Sequence, residues 1–271
     1  MRSIVAGLCA VLAASATAQA LTIQPHRAIY DLKLLRANDR AGLSGVEGRL
    51  AFEVDGSVCE GWTVNFRMVN QYQKTDGNPR LVDTQSTSFE SGDSLELHYS
   101  DQEFVNRKQE AGTRVRASRA KPEAEGQGEY GAADKKQFTL PSGALFPIQH
   151  QLKITAEAEQ GQTRDVSVLF DGSDAGTAYK VVTFINGKKE AGQNAGDNAN
   201  PAAVALAKVA SWPISMSYYK SGGSEQDTPN YQVSFNLYDN GIATGLTLDY
   251  GDFVLHGDLV KLDYLDAKAC K

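Results

Sequence analysis

From Asn230 to Tyr238 the chain reads Asn-Tyr-Gln-Val-Ser-Phe-Asn-Leu-Tyr. Tyr231, Val233, Phe235 and Leu237 fall on one side of a period-two ribbon, with Gln232, Ser234 and Asn236 on the other. A helix would scatter the four apolar side chains around its axis, so the pattern requires a half-buried β-strand. Asp239-Asn240-Gly241 then supplies residues that tolerate positive φ, a hairpin signature. Leu246, Leu248 and Tyr250 resume the alternation, and Gly251-Asp252 turns the chain again. In the last strand Phe253 and Leu255 carry one parity and Val260, Leu262 and Tyr264 the other. Gly257-Asp258 stands between them, which predicts a β-bulge at the glycine. A three-stranded meander thus ends a few residues before Cys270.

The same period recurs upstream. Ala28, Tyr30, Leu32 and Leu34 oppose Arg27, Asp31 and Lys33, while Trp62, Val64, Phe66 and Met68 alternate with Thr63, Asn65 and Arg67. Further strands are expected over residues 49–54, 80–90, 94–99, 113–118, 165–170, 178–185 and 212–219. Ile148, Leu152 and Ala156 recur every four residues and predict a short amphipathic helix over 148–160, placed to plug or cover a sheet edge. A second short helix is expected over 201–210, entered through Asn200-Pro201. Residues 121–136, rich in Glu, Gly, Ala and Gln, read as a flexible connection, and 194–200 as a polar loop. Strands with one wet face indicate antiparallel pairing. About a dozen of them in one sheet favour curling or closure, because long open sheets twist and expose edges. The fold class is therefore all-β and mainly antiparallel, a single curved sheet with one or two short helices.

Residues 1–20 stand apart. Arg2, the apolar run from Ile4 to Ala14 and the small-x-small site Ala18-Gln19-Ala20 read as a signal peptide cleaved before Leu21. A membrane anchor would need roughly 20 apolar residues, and Gln19 closes this run early. Cys9 is too near the start to be a lipoprotein cysteine. The expected product is a soluble, periplasmic domain over 21–271 with two cysteines, Cys59 and Cys270. An oxidising compartment favours their pairing, with two buried thiols as the other reading. Closing so long a loop is worth roughly 5 kcal/mol in the chain-entropy model. Loss of Arg2 moves the formal charge from -6 to -7, which gives nucleic acid no basic surface.

Several segments together resemble the EipB-like cell-envelope integrity family of alpha-proteobacteria. They are Pro25-His26-Arg27-Ala28-Ile29-Tyr30-Asp31-Leu32, Phe146-Pro147 with the helix after it, Phe170-Asp171-Gly172-Ser173, Trp212-Pro213-Ile214, and Tyr238 to Phe253 with Tyr250-Gly251-Asp252-Phe253. The resemblance implies a periplasmic β-spiral, an open and strongly curved barrel similar in outline to periplasmic lipoprotein carriers and receptors. It also implies a disulfide from an early strand to the C-terminus, here Cys59 to Cys270, and a role in envelope stability. It transfers no catalytic residue.

Chemistry-bearing motifs are sparse. His26, His98, His150 and His256 lie at no metal-ligand spacing, so neither metal nor cofactor is expected. Asp171-Gly172-Ser173-Asp174-Ala175-Gly176 lacks the alternating acids of an EF-hand and reads as a turn. Asp249 and Asp252 flank a hairpin turn, and Cys-x-x-Cys, Gly-x-Ser-x-Gly and His-Glu-x-x-His are absent. Trp62, Phe66, Trp212, Tyr218 and Tyr250 are candidates to line an apolar ligand cleft, against the alternative of ordinary core. Two functions follow as expectations. The first is a non-enzymatic envelope-supporting protein that binds an envelope protein or an apolar or lipid ligand. The second is an envelope hydrolase or polysaccharide-modifying enzyme, which would show a Ser/His pair or convergent carboxylates in a polar cleft.

Overall fold

The computed structural model describes residues 23–131, 134–193, 200–220, 228–268 and 270. The expected leader over 1–20 and most of the expected loop over 194–200 lie outside them. The described strands are β1 (His26–Ala37), β2 (Leu43–Ser57), β3 (Gly61–Lys74), β4 (Arg80–Glu90), β5 (Glu96–Val105), β6 (Lys108–Arg119) and β7 (Gly126–Tyr130). They continue with β8 (Lys136–Leu140), β9 (Arg164–Leu169), β10 (Tyr179–Ile185), β11 (Ser211–Lys220), β12 (Tyr231–Tyr238), β13 (Ala243–Asp249) and β14 (Phe253–Tyr264). Helix α1 (Pro147–Glu159) separates β8 from β9.

All fourteen strands form one sheet in the order β8-β7-β6-β5-β4-β3-β2-β1-β14-β13-β12-β11-β10-β9. The chain starts in the middle, steps outward to edge β8, crosses to edge β9 and steps back until β14 pairs antiparallel with β1. Laid flat, fourteen strands would span about 60 Å. Yet Leu145, five residues beyond the end of β8, forms a bridge with Leu169 of β9, donating its N–H to Val168 at 2.7 Å and accepting from Phe170 at 2.9 Å. Five residues reach no more than about 18 Å. The sheet must therefore roll until its edges nearly meet, and it remains an open, curved barrel rather than a closed one.

Helix α1 occupies the roll at the junction. Pro147 needs no hydrogen-bond donor at the first helical position, and Glu90, at the end of β4, accepts from the backbone nitrogens of Ile148 and Gln149 at 2.7 and 3.0 Å. Ile148 and Leu152 pack with Ile23, Val54 and Trp62, whereas Ile154 and Ala158 pack with Leu169, Val181, Trp212 and Tyr218. Two apolar stripes are buried rather than the single one formed by Ile148, Leu152 and Ala156, because the helix is wrapped on two sides.

Three expectations are corrected. The connection over 121–136 contains β7, which pairs with β6 and β8 throughout; its Gly128 is a close-packing position, since a Cβ there would meet Phe138 Cζ at 2.0 Å. The bulge in β14 falls at Val260, not at the glycine: Ile29 faces Lys261 and Tyr30 faces Leu259, so Val260 is the extra residue and is exposed. Gly257 keeps register between Leu32 and Leu246, whose side chains occupy the space of a Cβ. The second helix is a single 3-10 turn, Val204–Lys208, preceded by a turn in which Asn200 Oδ1 accepts from the Ala202 nitrogen at 3.0 Å.

Candidate functional site

The two ends of the roll differ in chemistry. At one end the chain is stapled: Cys59, in the β2–β3 turn, is bonded to Cys270 with a Cα–Cα distance of 5.6 Å. Lys268 lies 3.4 Å from both Asp55 and Glu60. Trp62 is buried at this end beside Ile23, Val54 and Ile148.

The opposite end is lined by tyrosine. Strand register places Tyr72, Tyr99, Tyr179, Tyr218 and Tyr231 on the inner face, toward the ends of β3, β10, β11 and β12 and in β5, and Tyr250 joins them from the turn just after β13. Tyr218 and Tyr231 stack at 4.2 Å, and Tyr179 sets its edge against both at 6.2 and 6.0 Å. Tyr250 stacks on Phe253 at 5.0 Å, and Phe253 meets Tyr72 edge-on at 6.0 Å. The arc crosses the roll from β10 to β3 with few breaks.

Asp171 is delivered into this arc by the turn after β9. The Ser173 backbone nitrogen and hydroxyl donate to Asp171 Oδ1 at 2.9 and 2.7 Å. Gly172, at φ 80°, lets the turn approach Tyr99, whose Cβ lies 2.8 Å from where a Cβ would stand. Burial pushes the Asp171 carboxyl above its ordinary range, against the pull of its bonds to Ser173. Burial likewise raises the phenols, and the Asp171 charge adds to the rise at Tyr99, Tyr179, Tyr218 and Tyr231. Tyr99 and Tyr250 are each pushed up to about 12, so the phenols stay protonated and able to donate. Tyr231 and Tyr250 have no side-chain hydrogen bond among the described residues, while Tyr179 donates to Asp174 at 3.4 Å. The mouth thus offers aromatic faces, free hydroxyls and a carboxyl edge, a combination suited to an amphiphilic ligand.

The five aromatics expected to share a cleft are dispersed. Trp62 sits under the helix start, Trp212 in the core beneath Ile154, and Phe66 half-buried beside Met68 and Leu50. Tyr218 and Tyr250 alone belong to the tyrosine arc, at 9% and 40% exposure. Tyr72, Tyr99, Tyr179, Tyr231 and Asp171 complete it and were not singled out for the site. Their only sequence signal is tyrosine at apolar parity near strand ends that face the same way.

A second grouping contains Ser, His and carboxylate. Ser167 Oγ donates to Asp165 Oδ2 at 2.7 Å, Lys153 is ion-paired with the same carboxylate, and His150 Nε2 lies 3.9 Å from Asp165. Burial pushes Asp165 up, but His150, Lys153 and Ser167 outweigh it and hold its carboxyl well below the usual range. Asp165 and Ser167 are each 7% exposed and His150 is 4% exposed. The serine is spent on the carboxylate rather than on an imidazole, so the group fastens α1 to edge β9 instead of making a nucleophile. Among the described residues no group of three or more His, Cys, Asp or Glu side chains could share a metal, and no helix is long and apolar enough to cross a membrane.

The family model for EipB-like proteins matches residues 17–266. The chain belongs to the EipB-like family. It is 36% identical over 254 residues to the cell envelope integrity protein EipB of Brucella abortus (strain 2308), covering 93% of this chain and 88% of that one. It is also similar to the crystal structure of a beta-barrel-like protein from Brucella abortus belonging to a domain family of unknown function. That match has a TM-score of 0.83 and 32% identity, and it covers 91% of this chain and all of the other. Family membership agrees with the rolled antiparallel sheet described above.

Proposed function

We propose that this is a non-enzymatic periplasmic protein that supports cell-envelope integrity by holding an envelope protein or an apolar, lipid-bearing ligand against the inner face of its curved sheet. The reading takes residues 1–20 as a removed leader and 21–271 as one domain. The envelope role is supported by the likeness to a relative named a cell envelope integrity protein. The binding role rests on one observation: the tyrosine arc around Asp171, which grades from buried Tyr179 and Tyr218 to exposed Tyr250 and leaves the Tyr231 and Tyr250 hydroxyls without a side-chain hydrogen bond among the described residues. An acyl chain would lie along Val233, Phe235 and Leu248, which are also only partly buried on the inner face, while its polar end meets the phenols.

Native mass spectrometry of protein released gently from the periplasm tests this. A bound lipid or lipidated peptide is expected on the wild type and is expected to fall at least tenfold in occupancy on a Tyr231→Ala, Tyr250→Ala variant. A bare monomer from wild-type cells, or equal occupancy in the variant, overturns the reading.

A further inference from the structure

A surface depression of about 440 Å3 lies on the outer face of β1–β6, away from the tyrosine arc. Register explains its shape. Arg27, Glu53, Asn65, Thr87, Ser100 and Arg114 stand directly opposite one another across six consecutive strands, all with outward parity. The row is hydrogen-bonded along its first half. Arg27 Nε donates to Glu53 Oε2 at 2.6 Å, Asn65 Nδ2 to Glu53 Oε1 at 3.3 Å, and Thr87 Oγ1 to Asn65 Oδ1 at 3.0 Å. The second half is open: Ser100 and Arg114 have no side-chain partner among the described residues.

A parallel row one step along the strands repeats the arrangement with Arg67, Gln85 and Gln102. Arg67 sets its guanidinium fork on Asp83 at 3.0 and 2.8 Å, Gln85 donates to the same carboxylate at 3.1 Å, and Gln102 has no side-chain partner among the described residues. Between the two rows run Phe52, Phe66, Ser86 and Asp101, which have inward parity and also line the depression.

We propose that this outer groove binds a linear, carboxylate-bearing glycan lying across the strands. Neighbouring strands are about 4.8 Å apart, close to the advance of an extended glycan per sugar, so each strand presents one polar rung to each ring. Amide and hydroxyl groups that both donate and accept, with guanidinium donors beside them, match ring hydroxyls. The unpaired guanidinium of Arg114 is the fork for a carboxylate, whereas Arg27 and Arg67 are already neutralised and fixed by Glu53 and Asp83. Phe52 and Phe66 line the depression, but both pack against the inner core and are not presented as anchors, and nucleic acid is disfavoured by the net charge of -6. The site is independent of the inner-face reading, and neither depends on the other.

The test is titration calorimetry on the full exported chain with three hexamers: β-1,4-linked mannuronate, β-1,4-linked N-acetylglucosamine and cellohexaose. The mannuronate hexamer is expected to bind at least tenfold more tightly than the neutral two and to weaken as salt is raised. Arg114→Ala is expected to reduce its affinity tenfold or more and Gln102→Ala several-fold. Both side chains are exposed and unpartnered, so both variants keep the wild-type melting temperature. No binding of the mannuronate hexamer at millimolar concentration, equal affinity for the neutral hexamers, or unchanged affinity in Arg114→Ala each overturns the proposal.

Discussion

Glu90 Oε2 lies 2.7 Å from the backbone nitrogen of Ile148, so a carboxylate at the end of β4 caps a helix 58 residues away. Glu90 is 3% exposed. Burial pushes its carboxyl up to about 7, against the pull of the Ile148 and Gln149 amides, the Ser94 hydroxyl and the charge of Arg119. A carboxyl raised on folding contributes stability that is complete below its unfolded value near 4.5 and is lost as pH climbs through about 7. The full swing is on the order of 3 kcal/mol.

Urea denaturation between pH 5 and pH 8 should therefore show stability falling with pH, and Glu90→Gln should flatten that slope. At pH 5 the raised carboxyl is protonated and the amide is its near-isostere, so the variant should lie within about 1 kcal/mol of wild type there. A wild type whose stability rises steadily over this range would contradict the assignment of the slope to Glu90.

The Cys59–Cys270 bond closes a loop with a sequence separation of 211, and the tail it holds also places Lys268 between Asp55 and Glu60. A Cys59→Ser, Cys270→Ser double variant should lose about 2–5 kcal/mol, and reduced wild type should match it. The ion pairs are solvent-exposed and replace little of that. A double variant within 0.5 kcal/mol of wild type, roughly the effect of an ordinary surface change, would show that β14 and the Leu265–Pro25 backbone bond already hold the tail.

What was legible locally was what is decided locally. Tyr231, Val233, Phe235 and Leu237 announce β12 because alternation is a property of adjacent residues. Gly126 to Tyr130 announce nothing, because β7 exists through its neighbours: Gly128 is a strand residue only because Phe138 needs its space. Val260 rather than Gly257 carries the bulge for the same reason, since register is fixed by Tyr30 and Leu32 across the ladder. The tyrosine arc was only partly visible. Tyr218 and Tyr250 stand out by composition, but their company with Tyr72, Tyr99, Tyr179 and Tyr231 depends on which strand ends lie together after rolling. Asp171, read as a turn residue, is one; its second role follows from where the turn lands.

Gly128 offers a direct check on the β7–β8 edge. An alanine Cβ would stand 2.0 Å from Phe138 Cζ and 2.7 Å from the Arg116 carbonyl oxygen, so Gly128→Ala must displace the ring or part the strands. The expected loss is roughly 1–3 kcal/mol, with hydrogen exchange rising in 126–140 and little changed in β12–β14. Phe138→Leu in the same chain should recover part of it, because the displaced ring is the obstacle. Exchange rising evenly over the whole sheet would instead mean that the edge and centre unfold as one unit.

Thr183 and Asp165 face one another across β10 and β9 beneath α1, and they should respond in opposite directions. Asp165 holds Lys153 and Ser167, so Asp165→Ala removes the acceptor of a buried hydroxyl, leaves Lys153 to Glu157 and should cost about 1–3 kcal/mol. Its folded carboxyl is depressed, so its contribution is present above the unfolded value near 3.8 and lost as pH falls below it; the variant should differ least from wild type in acid. Thr183 is fully buried and its Oγ1 has no partner among the described residues. Thr183→Val removes that unsatisfied hydroxyl while preserving shape, and should raise stability by about 1 kcal/mol, read as a higher urea midpoint at unchanged slope. A valine variant less stable than wild type would mean that the hydroxyl is bonded in solution, with a water between Thr183, Asp165 and the equally unpartnered His150 Nε2 as the arrangement to look for.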